Sequence, residues 1–222
     1  MTILAFDVNE TLLDLRALDP HFQRVFGDAK VRAEWFGAML QSAFLTTITG
    51  PYVGFGAHFK AALAITAERH GMRVSPDDEQ AILGEVRKLP PHPEVRASLE
   101  RLRSAGFRLA ALTNSAPAVE EAQLRNAGIA DLFEKALSAD AAKRLKPAPE
   151  AYQAAARELG IPPAEMRLVA AHAWDVHGAL RAGCAAAFVA RPGAVWNPLL
   201  EKPDVVGKDL AEVVDRIIGA EG

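Results

Sequence analysis

Cysteine is almost missing from the 222 residues. Cys184 stands alone, so no internal disulfide can form, and its setting in ALRAGCAAAFVA reads as a packed thiol and not an activated one. Missing too is any block of Lys and Arg. The 25 basic residues are scattered and outnumbered by 28 acidic ones, for a formal charge of −3 and a pI near 6.1. That balance gives no electrostatic footprint for nucleic acid or an anionic membrane, and neither is an expected partner. No apolar stretch approaches the length of a bilayer span, and no basic-then-apolar leader is legible; the expected address is the cytoplasm. Internal repeats and low-complexity segments are lacking as well. What is present is 50% hydrophobic and 24% charged, enough for one substantial core and a smaller lobe.

Short, mostly unalternated apolar runs recur at Ile3 to Phe6, Arg108 to Leu112, Leu132 to Leu137, Arg167 to Ala171, Ala186 to Ala190 and Asp204 to Val206. Several are separated by helical patterns such as PAVEEAQLRNAG, PEAYQAAARELG and DVHGALRAG. Strands buried on both faces and alternating with helices predict a doubly wound α/β core with a parallel sheet. Residues 15–88 break that rhythm: they hold helical patterns and no convincing strand, and read as an inserted helical cap. In AEWFGAMLQSAFLTTI, Trp35, Phe36, Met39, Leu40, Ala43 and Phe44 recur at helical spacing, and Ser75 is placed to cap the helix in SPDDEQAILGEVRKL. GPYVGFG supplies a bend inside the cap, and the prolines of LPPHP at residues 89–93 stop a helix and favour an extended link. The expected division is a core of residues 1–14 and 89–222 around a cap of 15–88, with the second hinge near Leu89.

Ligands of an open parallel sheet bind beyond the carboxyl ends of its strands, so residues just after each run are the ones to inspect. Asp7 and Thr11 follow the first, Thr113, Asn114 and Ser115 the second, Lys146 the third, and His172 and Asp175 the fourth. Singly, each has a bland reading: Asp7 or Thr113 as a cap, Lys146 as a solvated charge. Together they resemble the haloacid dehalogenase superfamily of hydrolases, because DVNETLLD, LTNS, LKPAP and WDVHGA occur in its order with a helical cap inserted after the first. The resemblance makes Asp7 the nucleophile. A carboxylate gains nucleophilicity when desolvated and aimed, and a neighbouring cation keeps it ionised; Lys146 is that cation, with Thr11 and Thr113 orienting donors around it.

Phosphatases of that superfamily resemble one another in carrying an Asp two residues after the nucleophile and a paired acidic motif for magnesium. Here Asn9 occupies the acid/base position, with no titratable proton, and Ala171 replaces one acid of the metal motif, leaving Asp175. The chain is more similar to the metal-free L-2-haloacid dehalogenases, a likeness that extends to Lys146 and Tyr152 in LKPAPEAY and to the WD of AHAWD. It implies displacement of halide from a short 2-haloacid by Asp7, hydrolysis of the aspartyl ester by water activated near Asp175, no metal or other cofactor, and a homodimer.

The sequence departs from that family's pattern where Asn9 stands for Tyr, Ala170 for Ser and His172 for Asn. The halide-binding cap arginine falls on Phe36 when YVGF at residues 52–55 anchors the comparison. His172 either compensates, since imidazole donates to anions and titrates near neutrality, or is an ordinary strand-end histidine. Asn9, Thr113, Asn114, Phe36, Leu40, Phe55, Tyr152 and Trp174 are the expected substrate contacts, while Tyr52 reads as core packing, His177 as surface and Glu10 as a solvated turn residue. Two other readings stay open: a magnesium-dependent phosphatase of small phosphate esters, and a non-catalytic binder of a small carboxylate.

Overall fold

A computed structural model describes residues 2–221. Strand β1 (Ile3–Phe6) is followed by helices α1 (Asp19–Phe26), α2 (Val31–Thr49), α3 (Phe55–Arg69), α4 (Pro76–Val86) and α5 (Val95–Ser104) before β2 (Arg108–Thr113). The remaining elements are α6 (Pro117–Asn126), β3 (Lys135–Ser138), α7 (Pro149–Leu159), β4 (Met166–Ala170), α8 (Ala173–Arg181), β5 (Ala185–Val189), β6 (Val205–Gly207) and α9 (Leu210–Glu221). The strands make one parallel sheet in the order β3-β2-β1-β4-β5-β6. The chain runs outward from β1 to β3 and then crosses back to β4, so the winding reverses between β1 and β4. This is the expected doubly wound α/β fold, and the reversal opens a crevice at the carboxyl ends of those two strands.

Side chains alternate across a strand, and here both faces are covered. Leu4 and Phe6 enter a core shared with α1 to α5 and α9, whereas Ile3 and Ala5 enter one built with α7 and α8. The strand positions read from the sequence hold to within about a residue except at β3. Residues Ala130–Leu132 form a 3-10 turn, and β3 begins only at Lys135. Leu132 and Phe133 are apolar because they dock on the core, not because they are in a strand.

Within residues 15–88, α2 and α3 pack side by side and α1 touches both α2 and α4, while α5 packs instead on α9 and β2. Trp35, Ala38, Met39 and Ala43 form the buried face of α2. Ser75 caps α4 as its position predicts, its Oγ accepting from the Asp78 N–H at 3.1 Å. The two chain passes beside β1 are tied together: Asp14 N–H donates to the Pro90 carbonyl at 2.8 Å and His92 N–H to the Leu12 carbonyl at 2.9 Å. Among the described residues no helix is long and apolar enough to cross a membrane.

Candidate active site

Register delivers the key groups to one place. Phe6 is level with Ala111 of β2 and Val169 of β4, so Asp7, one residue on, emerges at the crevice beside the residues that end those strands. Lys146 arrives from the segment after β3, and its three ammonium protons have three acceptors: Asp7 Oδ1 at 2.9 Å, Asp175 Oδ2 at 2.7 Å and the Leu112 carbonyl at 2.8 Å. Its backbone is fixed from both sides by Asn114, whose Oδ1 accepts from the Lys146 N–H at 2.8 Å and whose Nδ2 donates to the Lys146 carbonyl at 3.2 Å. Thr11 donates to Asp7 Oδ2 at 2.6 Å and accepts from the Ala171 N–H at 2.9 Å. Tyr152 donates to Asp175 Oδ1 at 2.5 Å.

Burial acts first on every group here and favours neutral forms. Against it, the Lys146 charge, then hydrogen bonds and charge from His172 and the Thr11 hydroxyl, hold Asp7 far below the usual carboxylate range. Asp175 goes the other way: burial raises it, the Asp7 charge adds to the rise, and Lys146 only partly offsets them. Burial would neutralise Lys146, but Asp175 and Asp7 keep it a cation with a raised pKa. The pair therefore comprises an ionised, aimed carboxylate and a second, more basic one, separated by an ammonium ion.

His172 closes the site from the β4 side. Its Nδ1 lies 3.3 Å from Asp7 Oδ2 and its Nε2 2.9 Å from Glu10 Oε2. Two acceptor-only partners require a donor at each ring nitrogen, which is the imidazolium form. Burial opposes the charge, but the hydrogen bonds to Asp7 and Glu10 and their charges push the pKa up to about 10. Glu10 is thus not the solvated turn residue the sequence suggested; its other oxygen lies 3.6 Å from Arg32. The His172 ring stacks on Trp174 with centroids 5.2 Å apart, and Phe36 lies 5.8 Å from it on another side.

These residues enclose a small chamber of about 20 Å³ lined by Asp7, Asn9, Phe36, Phe55, Thr113, Asn114, Lys146, His172 and Trp174. Two larger spaces adjoin it. A more polar cavity of about 460 Å³ shares Phe36, His172 and Trp174 with it and is lined by Arg16, Arg32 and Arg191 as well as Glu10 and Asp14. A largely apolar cavity of about 320 Å³ shares Asn9, Phe36 and Phe55. Asn9 is fixed at the boundary, accepting from Gln123 Nε2 at 2.8 Å and donating to Ser115 Oγ at 3.4 Å.

Three sequence expectations need correction. Leu40 lines none of these spaces; Met39, its neighbour on α2, lines the apolar cavity instead. Tyr152 is fully buried and touches Asp175, not the chamber. Tyr52 is half-buried and donates to Asp140, away from the chamber. Arg191 lies outside those expectations although it sits just past β5, at a position the strand-end rule singles out: buried, it donates to the Thr11 carbonyl at 2.8 Å and pairs with Glu94. Gln123 carried no signal in the sequence, since only the fold brings α6 to Asn9.

The residues do not suit a divalent metal. Among the described residues there is no group of three or more His, Cys, Asp or Glu disposed to hold one, and the space between the two carboxylates is taken by the Lys146 ammonium, whereas magnesium needs hard oxygen ligands there.

Comparison with known proteins gives concordant results. A family model described as haloacid dehalogenase-like hydrolase matches residues 1–183. The chain is 29% identical to (S)-2-haloacid dehalogenase 2 of Pseudomonas sp. strain CBS-3 over 95% of its own length and 93% of that protein. It is 30% identical to haloacetate dehalogenase H-2 of Moraxella sp. strain B, over 97% and 95% respectively. Its fold is similar to that of the L-2-haloacid dehalogenase from Xanthobacter autotrophicus with chloropropionic acid covalently bound, with a TM-score of 0.92, 25% identity and 100% of both chains covered.

Proposed function

The chain belongs to the haloacid dehalogenase-like hydrolases, and from that premise we propose that it hydrolyses the carbon–halogen bond of 2-haloalkanoic acids through an aspartyl ester on Asp7, without a metal ion. The observation that carries this reading is the Lys146 ammonium bonded to Asp7 at 2.9 Å and to Asp175 at 2.7 Å. It supplies the counter-charge that would otherwise fall to a cation bound from solution. It also leaves Asp7 ionised in a buried chamber, stripped of the water that makes carboxylates sluggish nucleophiles.

In the first step a lone pair of an Asp7 carboxylate oxygen forms a bond to C2 as the C2–halogen bond breaks, and its electron pair leaves on the halide. The His172 imidazolium and the Trp174 indole border the space where that charge develops, and preorganised donors at such a point stabilise the transition state. Water then adds to Asp7 Cγ and gives a proton to Asp175, which burial makes more basic than an ordinary aspartate. The acyl C–O bond breaks, the alkoxide takes that proton and departs as the 2-hydroxy acid, and the acid left on Asp7 releases its proton to solvent. Tyr152 and Lys146 keep Asp175 oriented throughout; Asn114 and Arg191 act at one remove, through the backbones of Lys146 and Thr11.

The test is release of free halide from chloroacetate and 2-chloropropionate by the purified protein with and without a chelator. Equal release in both arms, abolished in Asp7→Asn, is expected. Absence of halide from both acids, or release that the chelator stops, contradicts the proposal.

A further inference from the structure

A cavity of about 10–15 Å³ suffices for one water molecule, so the chamber of about 20 Å³ beside Asp7 is too small to enclose a 2-haloacid. Whatever binds there extends into a neighbouring space. The more polar cavity is lined by Arg16, Arg32 and Arg191, each already paired with a carboxylate, together with Glu10 and Asp14, a charged lining that does not suit an alkyl chain. The apolar cavity of about 320 Å³ has Lys60 and Arg87 among mostly apolar lining residues, and it borders the chamber at Asn9, Phe36 and Phe55, which line both. Beyond them its walls are Met39 of α2, Val86 of α4 and Val119 of α6.

Two of the three residues at the junction, Phe36 and Phe55, present apolar rings to both spaces. The third, Asn9, has its amide engaged, accepting from Gln123 at 2.8 Å and donating to Ser115 at 3.4 Å. An alkyl group at this boundary therefore meets aromatic rings and an amide whose polar atoms already have partners.

We propose that this cavity receives the alkyl substituent on C2 of the substrate, and that the protein's preferred substrates are 2-haloalkanoic acids with an extended chain in place of haloacetate or 2-halopropionate. The chemistry at C2 rests on the dehalogenase reading above; the seat of the tail rests on the cavity. Each methylene that enters an apolar space gains about 0.8 kcal/mol, or about four-fold in binding.

The experiment has two readouts. Halide release is measured for 2-chloropropionate, 2-chlorobutanoate, 2-chlorohexanoate and chloroacetate, and calorimetry measures binding of unhalogenated butanoate, hexanoate and octanoate. The parent is compared with Val86→Trp and Val119→Trp, two fillers on different helices, neither in contact with the reacting atoms. In the parent, kcat/KM should rise by up to about four-fold per methylene, mostly through KM, and fatty-acid affinity should rise in step. Either filler should flatten both series and leave chloroacetate turnover within about two-fold. A parent series that is flat or falls with length, or a rise that survives both fillers, overturns the proposal. If no acid yields halide but affinity still grows with length and the fillers abolish the growth, the tail site stands and the dehalogenase reading falls.

Discussion

Glu10 holds the outer side of His172, with Oε2 2.9 Å from Nε2, while the inner nitrogen faces Asp7 at 3.3 Å. The glutamate does so from a left-handed backbone conformation, φ 61°, which costs a non-glycine residue on the order of 1 kcal/mol. Retaining a glutamate there is intelligible if its carboxylate keeps the imidazole charged beside the reacting centre.

A pH dependence follows. A histidine whose folded-state pKa is raised to about 10 contributes stability that is fully present below its unfolded value near 6.5 and is lost as pH rises through about 10. The stability difference between the parent and His172→Gln, measured by denaturant titration, should therefore shrink between pH 6.5 and 10. In Glu10→Gln the alkaline fall of kcat/KM should move down by about 1 pH unit or more, since one of the two counter-charges is gone. An unmoved alkaline limb would show that Glu10 does not act on His172.

Lys146→Ala leaves Asp7 and Asp175 facing one another in a buried site without the charge that separates them. Removing one partner of such a group costs about 3–5 kcal/mol, and chemical denaturation at pH 7 should record a loss of that size. Because Asp7 is held below its ordinary value, the stability it supplies is present above about pH 4 and is lost only as pH falls through its depressed folded pKa. In the variant that loss should set in at higher pH.

Gly178 on α8 has no room for a side chain: a Cβ there would lie 2.6 Å from the Tyr152 hydroxyl and 2.9 Å from the Pro147 carbonyl. Gly178→Ala should thus displace Tyr152 from Asp175, costing about 1–3 kcal/mol as overpacking does and slowing ester hydrolysis more than ester formation. Rapid-quench kinetics would then show a burst of halide ahead of the hydroxy acid. Equal slowing of the two would contradict the assignment of Tyr152 to Asp175.

Glu120 is buried on α6 with Oε1 unpartnered, and burial pushes its pKa up to about 8. A carboxyl raised in the folded state costs stability as pH climbs above its unfolded value near 4.5, a cost that levels off above about 8. Glu120→Gln should accordingly gain up to about 5 kcal/mol over the parent at pH 9, at about 1.4 kcal/mol per unit of the rise, and little at pH 4. Denaturation at the two pH values checks this, and equal effects at both would refute it.

How much of this was legible in the sequence depends on the distance over which each feature is decided. Strand ends are local: an apolar run that stops at Asp7 or at Thr113 marks the mouth of the sheet, so Asp7, Thr11, Lys146 and Asp175 could be found by position and chemistry. Apolar pattern alone does not tell a docked turn from a strand, so the run from Leu132 reads as strand although β3 starts three residues later, at Lys135. Leu40 and Met39 differ by about 100° around α2, and only the packing of α2 decides which faces the cavity. Glu10 and His172 lie 162 residues apart, and nothing near either residue announces the other. Tyr152 reads as a substrate contact in the sequence, whereas its partner in the fold, Asp175, is set by how α7 meets α8.

The origin of the new oxygen in the product tests the aspartyl ester most directly. Excess enzyme is allowed a single turnover of 2-chloropropionate in oxygen-18 water, and the hydroxy acid and the peptide containing Asp7 are analysed by mass spectrometry. If Asp7 attacks C2, the first product carries no label and one Asp7 carboxylate oxygen becomes labelled. Full label in the first product, with none on Asp7, would mean that water displaces the halide directly and that Asp7 is not the nucleophile.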